Sequence, residues 1–183
     1  MILRDAVATD LPAVAGLYGR EVLGGTATFE LEPPSLAEMT RRFEAVSGHG
    51  LPWLVAEVDG AFAGYAYLSP FRPRPAYRYG VEGSIYVEDA ARGQGVGRAL
   101  LTALIARAGA MGLRHIIGAI GDSATSEASI RLHRALGFRD VGVYRQVGWK
   151  FDRWLDVTLM QLDLVPGGDP PTSPGLDLTG GLA

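Results

Sequence analysis

Between Val96 and Ala110 the apolar residues Leu100, Leu101, Leu104, Ile105 and Ala108 recur at the spacing of one helix face, and Gly112 follows as a stop. That stretch is predicted to be a helix packed on a core. Shorter apolar runs without helical spacing, in MILRDA, WLVAEV, AFAGYAYL, VEGSIYV and HIIGAIG, predict strands. Asp59-Gly60 separates two of them, and a type I′ turn favours this pair because both central residues need positive φ. Three more helices have start signals, and two of them have stops. The first begins at Thr9 or Asp10 with Pro12 in its first turn and ends at Gly24-Gly25; the second has Ser35 and Glu38 at capping-box spacing; the last runs from Thr125 or Ser126 to Gly137. FRDVGVYRQVGW and RWLDVTLMQLDL read as two final strands.

The resulting order, β-α-α-β-β-β-α-β-α-β-β, predicts an α/β (α+β) domain: a mixed central sheet flanked by helices, with no internal repeat. Residues 1–165 form this domain. The Pro/Gly-rich residues 166–183 are expected to be a disordered tail.

Composition narrows the chemistry. A hydrophobic share of 48% over 183 residues suffices for one core, and a net charge of −3 supplies no broad basic field for nucleic acid or an anionic membrane. Without cysteine there is no disulfide, thiol nucleophile or thiolate metal site. His49, His115 and His133 lack metal-ligand spacing, so no catalytic metal is expected. Asp5 falls too early for a signal sequence and no apolar run approaches membrane-spanning length, which leads to the expectation of a cytoplasmic protein.

Gly93, Gly95 and Gly97 alternate between a predicted strand and a predicted helix. Glycine permits positive φ and close ligand approach, and a helix start offers unpaired N–H groups, so the stretch reads as an anion cradle. The helix dipole adds only about 0.3–1 kcal/mol, so N–H bonds and Arg92 or Arg98 must supply the rest. A nucleotide P-loop would need Lys-Ser or Lys-Thr where Arg98-Ala99 stands. The dinucleotide fingerprint also fails on spacing, since Arg98 and Leu100 occupy the positions of its third glycine. A plain glycine-rich turn is the other reading.

The run Arg92-Gly93-Gln94-Gly95-Val96-Gly97 resembles the pyrophosphate loop of the GNAT (GCN5-related) N-acetyltransferase superfamily. FRPRPAYRYGVEGSIYV, ASIRLHRALGF and VGWKFDRWLDVTLMQL are similar to its phosphinothricin and methionine sulfoximine acetyltransferase branch, so the likeness spans residues 2–164. The resemblance implies acetyl-CoA as co-substrate and the α-amine of a small amino-acid-like molecule as acceptor. It implies that the coenzyme is held by Arg92, Gly93, Gln94, Gly95, Val96, Gly97 and Arg98, by the backbone of Ile85, Tyr86 and Val87, and by Ser126. It makes Glu82 the general base and His133 the acid that protonates the thiolate. On the substrate side it places Phe29, Arg72, Arg74, Arg78, Glu82, Gly83 and Ser84, the arginines suiting an anionic or polar end. It also implies a homodimer, with RWLDVTLMQL as the interface or as an intrachain sheet contact.

Two positions depart from the branch. Gly83 stands where histidine is common, and GDSATSEAS replaces a shorter turn ending in asparagine, leaving Ser126 or Glu127 there and an added negative charge. With no cysteine to carry an acyl group, transfer is expected to be direct in a ternary complex. The residues by themselves leave plainer roles open: Glu82 as a solvated charge, SIYV as ordinary sheet, His133 as a packed helix residue, the arginines as a solvated loop. Two other functions stay open as well, acetylation of a polyamine or a protein N-terminus, and acyl-CoA binding without catalysis.

Overall fold

The computed structural model describes residues 1–165 and 167–178. Its elements follow the predicted order: β1 (Ile2–Asp5), α1 (Leu11–Gly24), α2 (Leu36–Gly48), β2 (Trp53–Val58), β3 (Ala61–Pro70), β4 (Gly80–Val87), α3 (Val96–Ala110), β5 (His115–Gly121), α4 (Glu127–Ala135), β6 (Arg139–Lys150) and β7 (Arg153–Asp163). The strands form one sheet in the order β1-β2-β3-β4-β5-β7-β6. All neighbours run antiparallel except β4 and β5, which are parallel.

Local chemistry sets the boundaries. Asp59 and Gly60 take φ 52° and 80°, as the β2–β3 turn requires. Ser35 accepts the Glu38 amide at 3.1 Å to start α2. The return half of that capping box is replaced, because the Glu38 carboxylate pairs with Arg41 and Arg42. Gly112 at φ 69° and Gly137 at φ 92° stop α3 and α4.

Period-two alternation divides the sheet into two apolar faces. Trp53, Tyr65, Tyr67 and Tyr86 stack or meet edge-on beneath α1 and α2, joined by Tyr18 and Phe43. Leu54, Ala66, Leu68, Val81 and Ile116 point the other way, where α3 contributes Leu100, Leu101 and Leu104. β7 lies between β5 and β6 and buries Leu155 and Met160, so the apolar stretch expected at a dimer interface is taken up by the sheet itself. Among the exposed apolar residues, Val141, Val143, Tyr144, Val147 and Trp149 gather on the edge strand β6.

Of the tail expected at 166–183, residues 166 and 179–183 lie outside the described residues. Residues 167–178 carry no helix or strand, yet their end is anchored and not disordered: Leu176 and Leu178 are 6% and 8% exposed in the main core. Composition indicated polar irregular chain, but two leucines suffice to seat it on the body.

Candidate active site

β4 and β5 pair only at Gly80–His115, Val81–Ile116 and Glu82–Ile117. Beyond Glu82 they separate, while β5 stays paired with β7 as far as Gly121. The Glu88 amide donates to the Ala63 carbonyl at 3.0 Å. By the alternation of an antiparallel ladder, the backbone groups of Glu82, Ser84 and Tyr86 then face β3, and those of Gly83, Ile85 and Val87 face the gap. An extended ligand can join this edge as an added strand. Ile85 and Val87 therefore sit as expected for backbone contacts. Tyr86 does not, since its backbone belongs to the β3 ladder and its ring packs on Tyr18 and Tyr65.

The gap opens towards the start of α3. Gly93 and Gly95 have φ 77° and 83°, and a Cβ on either would meet nothing within 4 Å. The first helical bond is Ala99 N–H to Gly95 C=O, at 3.0 Å. The amides of Val96, Gly97 and Arg98 thus have no acceptor in a preceding turn, and the helix dipole favours an anion before them. Open space beside left-handed glycines, with unpaired N–H groups behind it, fits a diphosphate. Gly97 has a different task. A Cβ there would lie 3.4 Å from Leu132 and 3.7 Å from Val87, so it brings α3 close to α4 and β4. Arg92 is tied to Glu21 at 3.0 Å and Asp89 at 2.9 Å, which fastens the loop to α1, and the Gln94 amide donates to Ala90 C=O at 2.8 Å. Arg98 is exposed on the first turn of α3.

Glu82 stands where β4 loses its partner, with its side chain on the α1/α2 face. Burial pushes its carboxyl above the usual carboxylate range, and Arg72 opposes the shift. Its ladder partner Ser69 lines a cleft of about 280 Å³ whose walls include Arg42, His49, Trp53, Tyr67 and Pro70. Ser84, on the same face as Glu82, is the ladder partner of Tyr67. Arg72 and Arg74 are exposed on the β3–β4 loop. Arg78 is committed elsewhere, donating to the Pro174 carbonyl at 3.0 Å, so its expected substrate role does not hold in this arrangement. Gly83 also departs from expectation. A Cβ there would point at Ile116 and Leu68 on the α3 face, away from Glu82, which leaves only its backbone to face the gap. The Phe29 ring rests on two glycines at the far end of the gap, for a Cβ on Gly121 or Gly148 would strike it at 2.8 Å or 2.2 Å.

The acid role expected for His133 does not fit its surroundings. The ring is 5% exposed, meets Phe138 edge-on at 4.9 Å and packs on Gly118. Nδ1 donates to the Ser129 carbonyl at 2.8 Å, so the neutral ring carries no proton on Nε2. Burial lowers its pKa and keeps it neutral. Ser126 is likewise occupied, its hydroxyl donating to Gly121 C=O at 2.6 Å. The charge of Glu127 is answered by Arg131 one turn on, at 2.5 Å.

Two groups went unseen in the sequence. Lys150, 3% exposed, donates to the carbonyls of Gly25 at 2.9 Å and Thr28 at 2.8 Å. Burial lowers its pKa, and Glu21 and Glu30 oppose the shift. The Tyr18 hydroxyl meets Thr28 and Glu30, each at 2.8 Å, and Arg42 holds Glu30 at 2.7 Å. Together they fix the α1–α2 loop that carries Phe29. Nothing marks a lysine at the end of an apolar strand as buried; the only hint was the density of polar groups in TATFELEPP.

Residues 20–138 match the Acetyltransferase (GNAT) family. The chain belongs to that family. It is 49% identical over 166 residues to the phosphinothricin N-acetyltransferase of Alcaligenes faecalis, covering 91% of this chain and 82% of the relative. To the L-methionine sulfoximine/L-methionine sulfone acetyltransferase of Pseudomonas aeruginosa it is 44% identical, covering 92% and 98%. A crystal structure of a phosphinothricin acetyltransferase from Sinorhizobium meliloti in complex with acetyl-CoA superimposes with a TM-score of 0.92 at 47% identity, over 97% of this chain and 96% of that one. Within the GNAT family the chain thus falls in the phosphinothricin and methionine sulfoximine acetyltransferase branch, and it is an N-acetyltransferase.

Proposed function

We propose that this GNAT enzyme transfers an acetyl group from acetyl-CoA to the α-amine of a small amino-acid-like acceptor of the phosphinothricin, methionine sulfoximine or methionine sulfone type, with Glu82 as general base. One juxtaposition carries the reading: Glu82 stands at the last β4–β5 pair, between the backbone edge of Ile85 and Val87 and the cleft lined by its ladder partner Ser69. Acetyl-CoA, when bound, supplies a thioester carbonyl activated towards amines. Its diphosphate would be held by the amides of residues 96–98 beside Gly93 and Gly95, and its pantetheine arm by the exposed edge of β4.

The acceptor arrives mostly as an ammonium, because free α-amino groups titrate above neutrality. Glu82 takes one proton to give the nucleophilic amine, and its raised pKa brings it nearer the acceptor's. The nitrogen loses a second proton as the amide forms, which balances the proton gained by the departing sulfur. No side-chain acid is needed for that balance, consistent with a packed, neutral His133. Arg72 and Arg74 suit the acceptor's anionic or strongly polar end.

The same reading includes a homodimer and a cytoplasmic setting, where acyl-CoA is at hand. The exposed apolar residues of β6 support pairing with a second copy along that edge. Thiol release measured across a panel of amines tests the function. Release is expected with phosphinothricin and the two methionine derivatives, and release confined to polyamines or peptide N-termini would overturn it.

A further inference from the structure

Residues 173–178 touch three separate parts of the fold: the α3–β5 turn, the end of the β3–β4 loop and the end of α2. The Ser173 hydroxyl donates to Gly112 C=O at 3.0 Å, and the Ser173 carbonyl accepts from the Tyr79 hydroxyl at 3.0 Å. Arg78 is held twice: its Nε donates to Pro174 C=O at 3.0 Å and its own carbonyl accepts the Leu176 amide at 2.8 Å. The Asp177 carbonyl accepts from His49 Nδ1 at 3.0 Å. Gly175 makes the close passage possible. It has φ 73°, and a Cβ would stand 2.8 Å from both Arg78 and Tyr79. Leu176 and Leu178 pin the segment in the core.

Two of these contacts bear on the acceptor side. His49 lines the Ser69 cleft directly, while Arg78 and Tyr79 close the loop that carries Arg72 and Arg74. Within itself that loop is held by Phe71 N–H to Gly80 C=O at 3.2 Å, the single turn at Pro75–Tyr77, Arg78 Nη1 to Pro75 C=O at 3.2 Å and the edge-on Phe71–Tyr77 pair, all towards its ends. Its position therefore depends on what grips its second half. We infer that residues 173–178 are a positioning strap that sets the enzyme's affinity for its acceptor by holding the arginine loop and the end of α2 at a fixed separation. The inference rests on the acceptor site proposed above. Gly112, Tyr79, Arg78 and His49, which the strap grips, lie outside the coenzyme loop at 92–98, so its release is expected to be felt by the acceptor and not by acetyl-CoA.

Gly175→Val and the double substitution Leu176→Ala/Leu178→Ala, each in the full chain, release the strap in two independent ways. Hydrogen exchange at residues 71–79 should rise in both. The acceptor KM should rise about tenfold, while kcat and the acetyl-CoA KM stay within about twofold. An acceptor KM that does not change in a variant whose exchange shows the strap released would overturn the inference, as would a parallel rise in both KM values. If the parent protein acetylates none of the amines, the functional reading fails by itself. The strap is then judged by exchange, and residues 71–79 equally protected with and without it would overturn the positioning role.

Discussion

The ammonium of Lys150, at the end of β6, donates to the Thr28 carbonyl at 2.8 Å across 122 residues of sequence. With Gly25 C=O at 2.9 Å, it ties the α1–α2 loop to the strand pair beyond the gap. Each hydrogen bond from a charged group contributes about 1.5–3 kcal/mol, and carbonyls left buried without a donor add to the loss. Lys150→Met should therefore lower the melting temperature by several degrees and raise the acceptor KM. Thermal unfolding together with steady-state kinetics checks both. Lys150→Arg keeps the charge but not the compact ammonium, and should recover only part of the loss.

Glu82→Gln separates base catalysis from folding. Loss of a positioned base should reduce kcat about 10²- to 10⁴-fold. Burial raises the folded carboxyl above its unfolded value. That favours folding only below the unfolded pKa, and the contribution is lost as pH rises through the folded one. The glutamine variant should accordingly melt no lower than the parent at pH 8. In the parent, activity should fall as pH drops through the raised pKa of Glu82. Unchanged kcat in the variant would remove Glu82 from the mechanism.

Two of the alternating glycines, Gly95 and Gly97, should respond differently. Gly95→Ala meets open space but must adopt a left-handed backbone at a cost of about 1–2 kcal/mol. It should lose about 2–8 °C in melting temperature and bind acetyl-CoA less tightly. Gly97→Ala has ordinary contacts and a helical backbone, so it should be neutral or stabilising by up to about 1 kcal/mol. Calorimetric titration with acetyl-CoA and thermal unfolding of both variants make the comparison.

His133 supplies a test based on acid. Its folded pKa lies below the unfolded value because the ring is buried, so its contribution is present above the unfolded pKa of about 6.5 and lost as pH falls through the folded one. The stability of the parent should decline on acidification more steeply than that of His133→Gln. At pH 8 the variant should keep kcat within about threefold. A hundredfold loss there with an unaltered melting temperature would restore the acid role.

Periodicity and punctuation made the fold legible. Asp59-Gly60, Pro12, Gly112 and Gly137 each mark a boundary through a local backbone requirement, so the element order could be read without tertiary information. The glycine loop was legible for the same reason, because left-handed positions at a helix start depend on neighbours in sequence. What escaped depends on contacts between distant segments. Arg78 looked like its neighbours Arg72 and Arg74 until Pro174 claimed it, and Gly148 showed no sign that a phenyl ring from residue 29 would rest on it. Gly83 was placed on the correct side of its strand by alternation. Only the packing of Leu68 and Ile116 revealed that this side is interior.

Where β4 leaves β5, the proposed coenzyme seat is made by the main chain, which is chemically the same whatever residues occupy positions 83, 85 and 87. Substitutions along that edge that keep both the extended geometry and the packing of these positions on the core would keep the proposed coenzyme seat. In the proposed arrangement the acceptor is met by side chains on the opposite face, so drift in the choice of amine could proceed without forfeiting the acetyl donor. One scaffold could in this way serve a succession of small amino-acid-like acceptors while its energy-rich partner stays constant.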